Sequence, residues 1–149
     1  MDKRRLTRVL VRADRSEVAA LSADIQKKYQ PVIVKEPGKT LTMIKLRDPV
    51  RRGMFYIGEV VVCEAAVEIE GEQGISVLMG DDLEKVLDMA IIDAAANKGV
   101  FGGTEILTAL EEKQNEALMR ENAMCLKTMV NFESMDQEAP HDLSAFKKV

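Results

Sequence analysis

The alternation between residues 57 and 69 constrains this chain more than any other stretch. Odd positions read Ile57, Glu59, Val61, Cys63, Ala65, Val67 and Ile69, while the even ones from 64 read Glu64, Ala66, Glu68 and Glu70. An apolar set on one parity and an acidic set on the other predict a long strand with one face buried and one solvated. Residues 71–74, opened and closed by glycine, turn the chain back, and Ile75, Val77 and Met79 continue as the partner strand. Gly80 ends that strand. Asp81-Asp82-Leu83-Glu84 then starts a helix, with a carboxylate cap and Glu84 set to complete a capping box. Leu83, Leu87, Ala90, Ile91 and Ala94 form one stripe to lay on the sheet, and the helix ends near 97–99.

Upstream, Leu6, Val9, Leu10 and Ala13 recur at spacings of three and four, which predicts an amphipathic helix. Ser16 reads as the N-cap of a second helix, with Glu17 in the first turn where the helix dipole favours an anion. Val18, Leu21 and Ile25 share one face of it, and Pro31 stops it. Residues 32–34 predict a short strand closed by Pro37-Gly38, and residues 41–46 alternate as its hairpin partner. Gly38-Lys39-Thr40 belongs to that turn and is no phosphate loop, because the motif requires a second glycine where Ile33 stands. Residues 48–53 form a basic loop containing Arg51 and Arg52.

After Gly102-Gly103 a last helix starts near Thr104 and runs to about residue 130. Leu107 and Leu110, then Leu118, Cys125, Leu126 and Met129, are apolar islands around a polar middle, a pattern that predicts projection or cover by another subunit. The sum is an α+β fold: an N-terminal helix pair, antiparallel hairpins forming a four-stranded sheet, an amphipathic helix and a long C-terminal helix. A single domain over 1–135 and a polar tail over 136–149 are expected.

Composition narrows the function classes. At 149 residues the chain can bury one real core. A net charge of −4 argues against general affinity for nucleic acid. Lys3, Arg4, Arg5, Arg8, Arg12 and Arg15 stand against Asp14 alone in residues 3–15, either as a solvated helix face or as a docking surface for an acidic partner or a phosphorylated ligand. No run reaches the roughly 18 apolar residues that a membrane span needs. The charged N-terminus carries no secretory signal, so a cytoplasmic location is expected. Cys63 and Cys125 are too few and too separated for a disulfide framework or a zinc knuckle and read as reduced packing residues.

No catalytic, cofactor-binding or metal-binding set can be assembled. Glu59 sits on the inward parity just after Gly58, where an ionised carboxylate is costly unless paired. Either it is buried against an arginine or a backbone donor, or a bulge at Gly58 returns it to solvent. Asp93, at the edge of the helix stripe, reads as a capping or interhelix group, and Asp81 and Asp82 are explained as caps. His141, the single histidine, falls in the tail, which leaves no Ser-His-Asp or Cys-His arrangement.

Residues 54–95 resemble the PhnG family, the G subunit of the bacterial carbon–phosphorus lyase system. The pattern is carried by Phe55, Gly58-Glu59, Val62, Glu64, Val67, Gly71, Gly74, Gly80-Asp81-Asp82, Ala90 and Asp93-Ala94, and by residues 128–135 with Thr128 and Phe132. Where Cys63, Ile75 and Met129 stand, the family often has Thr, an aromatic residue and Arg. The resemblance implies a cofactor-free subunit packed with the H, I and J subunits, chiefly I, in a core complex. That complex exchanges the adenine of ATP for an alkylphosphonate, forming a ribose 1-phosphonate 5-triphosphate. It also implies that Gly58, Glu59, Gly80, Asp82, Asp93, Thr128 and Phe132 are subunit-contact or structural residues. A free-standing module for a small anionic ligand, built on the basic first helix and the Arg51-Arg52 loop, is the alternative.

Overall fold

The computed structural model describes residues 2–130, in the order α1 (Lys3–Arg12), α2 (Arg15–Gln26), β1 (Val32–Arg47), β2 (Met54–Ile69), β3 (Glu72–Met79), α3 (Leu83–Lys98) and α4 (Thr104–Lys127). The fold is α+β, and β1-β2-β3 form one antiparallel sheet. The described residues fall into two compact units, one up to Glu116 and one from Ala117.

The expected four-stranded sheet is corrected to three strands, because residues 32–47 form one strand and not a hairpin. Pro37-Gly38 is passed by bulging instead of turning. Lys35 pairs with Ala66 and Gly38 with Glu64, so one extra residue is accommodated on β1. Proline is tolerated here because β1 is an edge strand with no neighbour on its outer side. The 16-residue β2 gives β1 a continuous antiparallel partner along its whole length.

The return from β2 to β3 is tighter than expected. Glu70 (φ 47°) and Gly71 (φ 88°) make the turn, both in the left-handed region that two-residue hairpins require. Gly74 therefore lies inside β3, opposite Val67. Here α3 comes close against the sheet: a Cβ there would stand 2.2 Å from the Ala94 nitrogen and 2.3 Å from the Ala90 oxygen.

Cross-strand partners share a face. Cys63, Ala65, Val67 and Ile69 of β2, with Ser76 and Leu78 of β3, turn towards α3 and are buried. Against them α3 packs Val86, Met89, Ala90, Ile91, Ile92 and Ala94, so it is buried far beyond a single stripe. Leu6, Val9 and Leu10 of α1, Val18, Leu21 and Ile25 of α2, and Leu107 and Leu110 of α4 complete the core. The opposite sheet face carries Glu64, Glu68, Ile75, Val77 and Met79 and has no helix over it.

Two helix starts differ from the expectation. α2 is capped by Asp14 and not Ser16, because Glu17 reaches back to accept the Asp14 N–H at 2.9 Å. α3 is capped by Asp82, whose Oδ1 accepts the Lys85 N–H at 2.9 Å. The third helical position is then Lys85, which leaves Glu84 free to pair with Arg15.

β3 pairs with β2 only from Val62 to Ile69. Residues 41–61 therefore continue as a two-stranded arm, roughly 25 Å long at the usual strand rise. α4 ends at Lys127. Its buried residues are Leu107 and Leu110, and from Asn115 on every described side chain is exposed.

Candidate subunit-contact surfaces

Asp93 and Asn97 stand one helical turn apart on α3 and both reach the free edge of β3. Asp93 Oδ2 accepts the Ile75 N–H at 3.0 Å, and Asn97 Nδ2 donates to the Gln73 carbonyl at 2.7 Å. The Asp93 side chain is 8% exposed and also takes the Lys3 ammonium at 3.0 Å. This polar seal occupies the Ile75 N–H and the Gln73 carbonyl, two of the edge groups that would otherwise pair with a foreign strand. Lys3, Leu6, Asp93, Asn97, Phe101 and Thr104 border a cavity of about 210 Å³ beside it, smaller than the usual ligand pocket. A further space of about 40 Å³, lined by Leu6, Thr7, Asp93 and Ser76, adjoins the buried Ser76 hydroxyl, which has no hydrogen-bond partner among the described residues. One water molecule fits such a space.

Gly80 and Asp82 form the corner between β3 and α3. Gly80 has φ 106°, a conformation that side chains strain to adopt, and its N–H donates to the Val61 carbonyl at 3.1 Å. Cys63 is fully buried under this corner, its thiol 3.5 Å from the Leu78 carbonyl and 3.4 Å from that of Asp82. Burial pushes the Cys63 thiol pKa up, so it stays protonated at neutral pH and is no nucleophile. Lys85 is also buried, with Nζ donating to the Val11 carbonyl at 2.9 Å and the Ala13 carbonyl at 2.7 Å. A cation at the C-terminal end of α1 complements that helix's dipole.

Gly58 and Glu59 lie in the arm. The register runs without a break from Lys39–Cys63 to Ile44–Gly58, so Glu59 keeps the inward parity and faces the same side as Cys63. The irregularity falls one residue earlier, where Ile57 is the extra residue between Gly58 and Tyr56. Glu59 is exposed because no helix reaches this part of the sheet, not because a bulge turned it round. Gly58 has open space where a Cβ would sit.

The arm is apolar on both faces. Leu41 (61% exposed), Met43, Tyr56 and Val61 stand on the side of Cys63, while Leu46 and Phe55 (46% exposed) stand on the other. Lys45 caps one aromatic, its Nζ 5.8 Å from the Tyr56 ring centroid. Large apolar side chains this exposed, on a ribbon without a core, make the arm a candidate interaction surface.

Other residues stay apart. On α1, Arg5 binds Glu111, which lowers the Glu111 pKa, while Lys3, Arg4, Arg8, Val11 and Arg12 line an open groove of about 440 Å³. Neither Arg51 nor Arg52 contributes to that groove. Thr128 closes the end of α4 through its hydroxyl, which donates to the Cys125 carbonyl at 2.9 Å. Phe132 and the tail over 136–149 lie outside the described residues. No group of three His, Cys, Asp or Glu side chains is placed to hold a metal among the described residues, and none of the described helices is long and apolar enough to cross a membrane.

Asn97 and Lys85 were not singled out from the sequence. Asn97 had a usable signal, its spacing of four from Asp93 on a helix edge. Lys85 had none, since a lysine in the first turn of a helix ordinarily points to water. The arm was legible in the mismatch between a 16-residue β2 and an eight-residue β3.

An α+β protein with one sealed sheet edge and a bare apolar arm is the class these features define. The family described as "Phosphonate metabolism protein PhnG" matches residues 1–137, and the chain belongs to that family. The resemblance read from residues 54–95 is thereby borne out, and the protein is assigned to phosphonate metabolism. No curated protein matches the chain.

Proposed function

We propose that this chain is an accessory, non-catalytic subunit of the phosphonate-metabolising complex that exchanges the adenine of ATP for an alkylphosphonate. Its partners are the H, I and J subunits, chiefly I, and ATP and the alkylphosphonate are substrates of the assembly and not ligands of this chain. The arm over residues 41–61 is the observation that carries the reading. It exposes Leu41, Met43, Met54, Phe55, Tyr56 and Ile57, each more than 45% accessible, on a ribbon that buries nothing of its own. A two-stranded ribbon is marginal in water unless something packs on it. Family membership supports the metabolic setting, and the polar clusters support the accessory role, since Asp93, Asp82 and Lys85 are all engaged by backbone groups.

Co-expression with the I subunit tests this. The wild-type chain is expected to co-purify with it, and Phe55→Asp with Ile57→Asp to abolish the pairing while leaving the fold intact by circular dichroism. Glu59→Ala reads whether the arm's carboxylate adds to the contact. The isolated chain is expected to bind no ATP and release no adenine; adenine release by the purified chain would overturn the proposal. The free-standing anion module draws less support, because the basic groove of α1 and the Arg51-Arg52 turn do not share a pocket. A flat thermal-shift response to nucleotides and phosphonates is expected.

A further inference from the structure

We infer that the tip of the arm docks on an acidic patch of the partner protein's surface, an inference that rests on the assembly reading above. Arg47, Arg51 and Arg52 are exposed around the turn that joins β1 to β2, and none has an ion-pair partner among the described residues. Arg5 holds Glu111 and Arg15 holds Glu84, whereas Arg4, Arg8 and Arg12 of α1, like the tip arginines, have no ion-pair partner among the described residues. Asp48, the one carboxylate at the tip, is spent on the turn itself. Its Oδ1 accepts the Val50 N–H at 2.8 Å and the Arg51 N–H at 3.2 Å. Two backbone bonds fix the turn further, from the Asp48 N–H to the Gly53 carbonyl at 2.8 Å and from the Arg52 N–H to the Asp48 carbonyl at 2.9 Å. Arg52 is held there with φ 55°.

The tip is therefore a fixed turn presenting three guanidinium groups without an ion-pair partner among the described residues, net positive even with Asp48 counted, on a chain whose net charge is −4. Guanidinium is the cation best suited to planar carboxylate recognition at an interface. A small free anion is the weaker occupant, because every residue from 47 to 53 except Asp48 is exposed and no buried polar side chain backs the arginines. The apolar shaft beside the tip, with Leu46, Met54 and Phe55, requires a protein surface in any case. Charge complementarity then requires that surface to carry Asp or Glu where the tip ends, which guides encounter and fixes the direction of the arm.

The test measures association of the purified chain with immobilised, co-expressed H, I and J subunits over a range of salt concentrations. Two variants accompany the wild type: Arg47→Gln/Arg51→Gln/Arg52→Gln, and the matching triple change to Lys. All three substituted positions are exposed, and circular dichroism checks that both variants fold. At low salt the Gln variant is expected to associate roughly tenfold more slowly and to lose most of its salt dependence, with the Lys variant near wild type. Unchanged association and salt dependence of the Gln variant overturn the acidic-patch inference while the assembly reading stands. Unchanged association with a raised ATP requirement of the assembly places the tip at a phosphate group and also overturns it. Failure of the wild-type chain to associate at all overturns both readings.

Discussion

The Asp93 carboxylate accepts the backbone N–H of Ile75 at 3.0 Å, across the free edge of β3. A helix side chain thus stands where a fourth strand would pair, and Asn97 repeats the device one turn later at the Gln73 carbonyl. Asp93→Ala removes the acceptor and leaves a part-buried N–H unpaired, an expected loss of about 1–3 kcal/mol. Asp93→Asn keeps an acceptor oxygen and should lose less, although Lys3 then has no anion. Urea denaturation of the three proteins checks this, and an unchanged midpoint for the Ala variant counts against the seal. The Ala variant should also exchange the Ile75 amide hydrogen faster than wild type.

Two glycines of the same family pattern should behave oppositely. At Gly74 a methyl group meets the backbone of α3 at 2.2 Å, and backbone cannot move aside as a side chain can. Gly74→Ala is expected to cost about 1–3 kcal/mol by overpacking, and more if α3 lifts from the sheet. Gly58→Ala has nothing within 4 Å and an ordinary backbone conformation, so its melting temperature should stay at or slightly above the wild-type value. A neutral Gly74→Ala would show that α3 does not lie as close as described.

The contrast shows what could be read from the chain. Period-two alternation and the Asp-Asp-Leu-Glu start located β2 and α3 because each is a local signal, set by side-chain direction and capping. The family pattern contained Gly74 and Asp93, but their reasons were hidden, since both depend on where α3 crosses the sheet. Pro37-Gly38 misled for a related reason. That dipeptide ordinarily turns a chain, and only the length of β2 beside it made a bulged edge strand the better pairing. Glu59 carried the right parity and still ended in solvent, because parity tells which face a residue takes and not whether anything covers that face.

Acid should loosen the packing of α1 and α2 against the first half of α4. Glu111 is held below the ordinary 4.5 by its hydrogen bond to Arg5, and Glu17 by the Asp14 N–H and by Lys113. Because the folded values are depressed, the unfolded chain takes up protons first as pH falls through 4.5. The stabilisation is complete above 4.5, declines below it, and is gone once the folded carboxyls are also protonated. Melting temperatures across that acid range should fall less steeply for the Glu17→Gln/Glu111→Gln double variant than for wild type. Parallel curves would mean that these pairs exert no pull on the folded state.

The two thiols should separate cleanly under alkylation. Cys63 is fully buried beneath the Gly80–Asp82 corner, its hydrogen is engaged by main-chain carbonyls, and burial raises its pKa. Cys125 is exposed on the last turns of α4. Only the thiolate attacks an alkylating reagent, so access and ionisation both act against Cys63. Iodoacetamide at neutral pH is expected to label Cys125 fast and Cys63 only at the rate of opening, with both labelled fully in denaturant. The Cys125→Ser variant assigns the phases, since it should retain only the slow one. Fast labelling of Cys63 in that variant would mean that the corner between β3 and α3 opens freely in the folded protein.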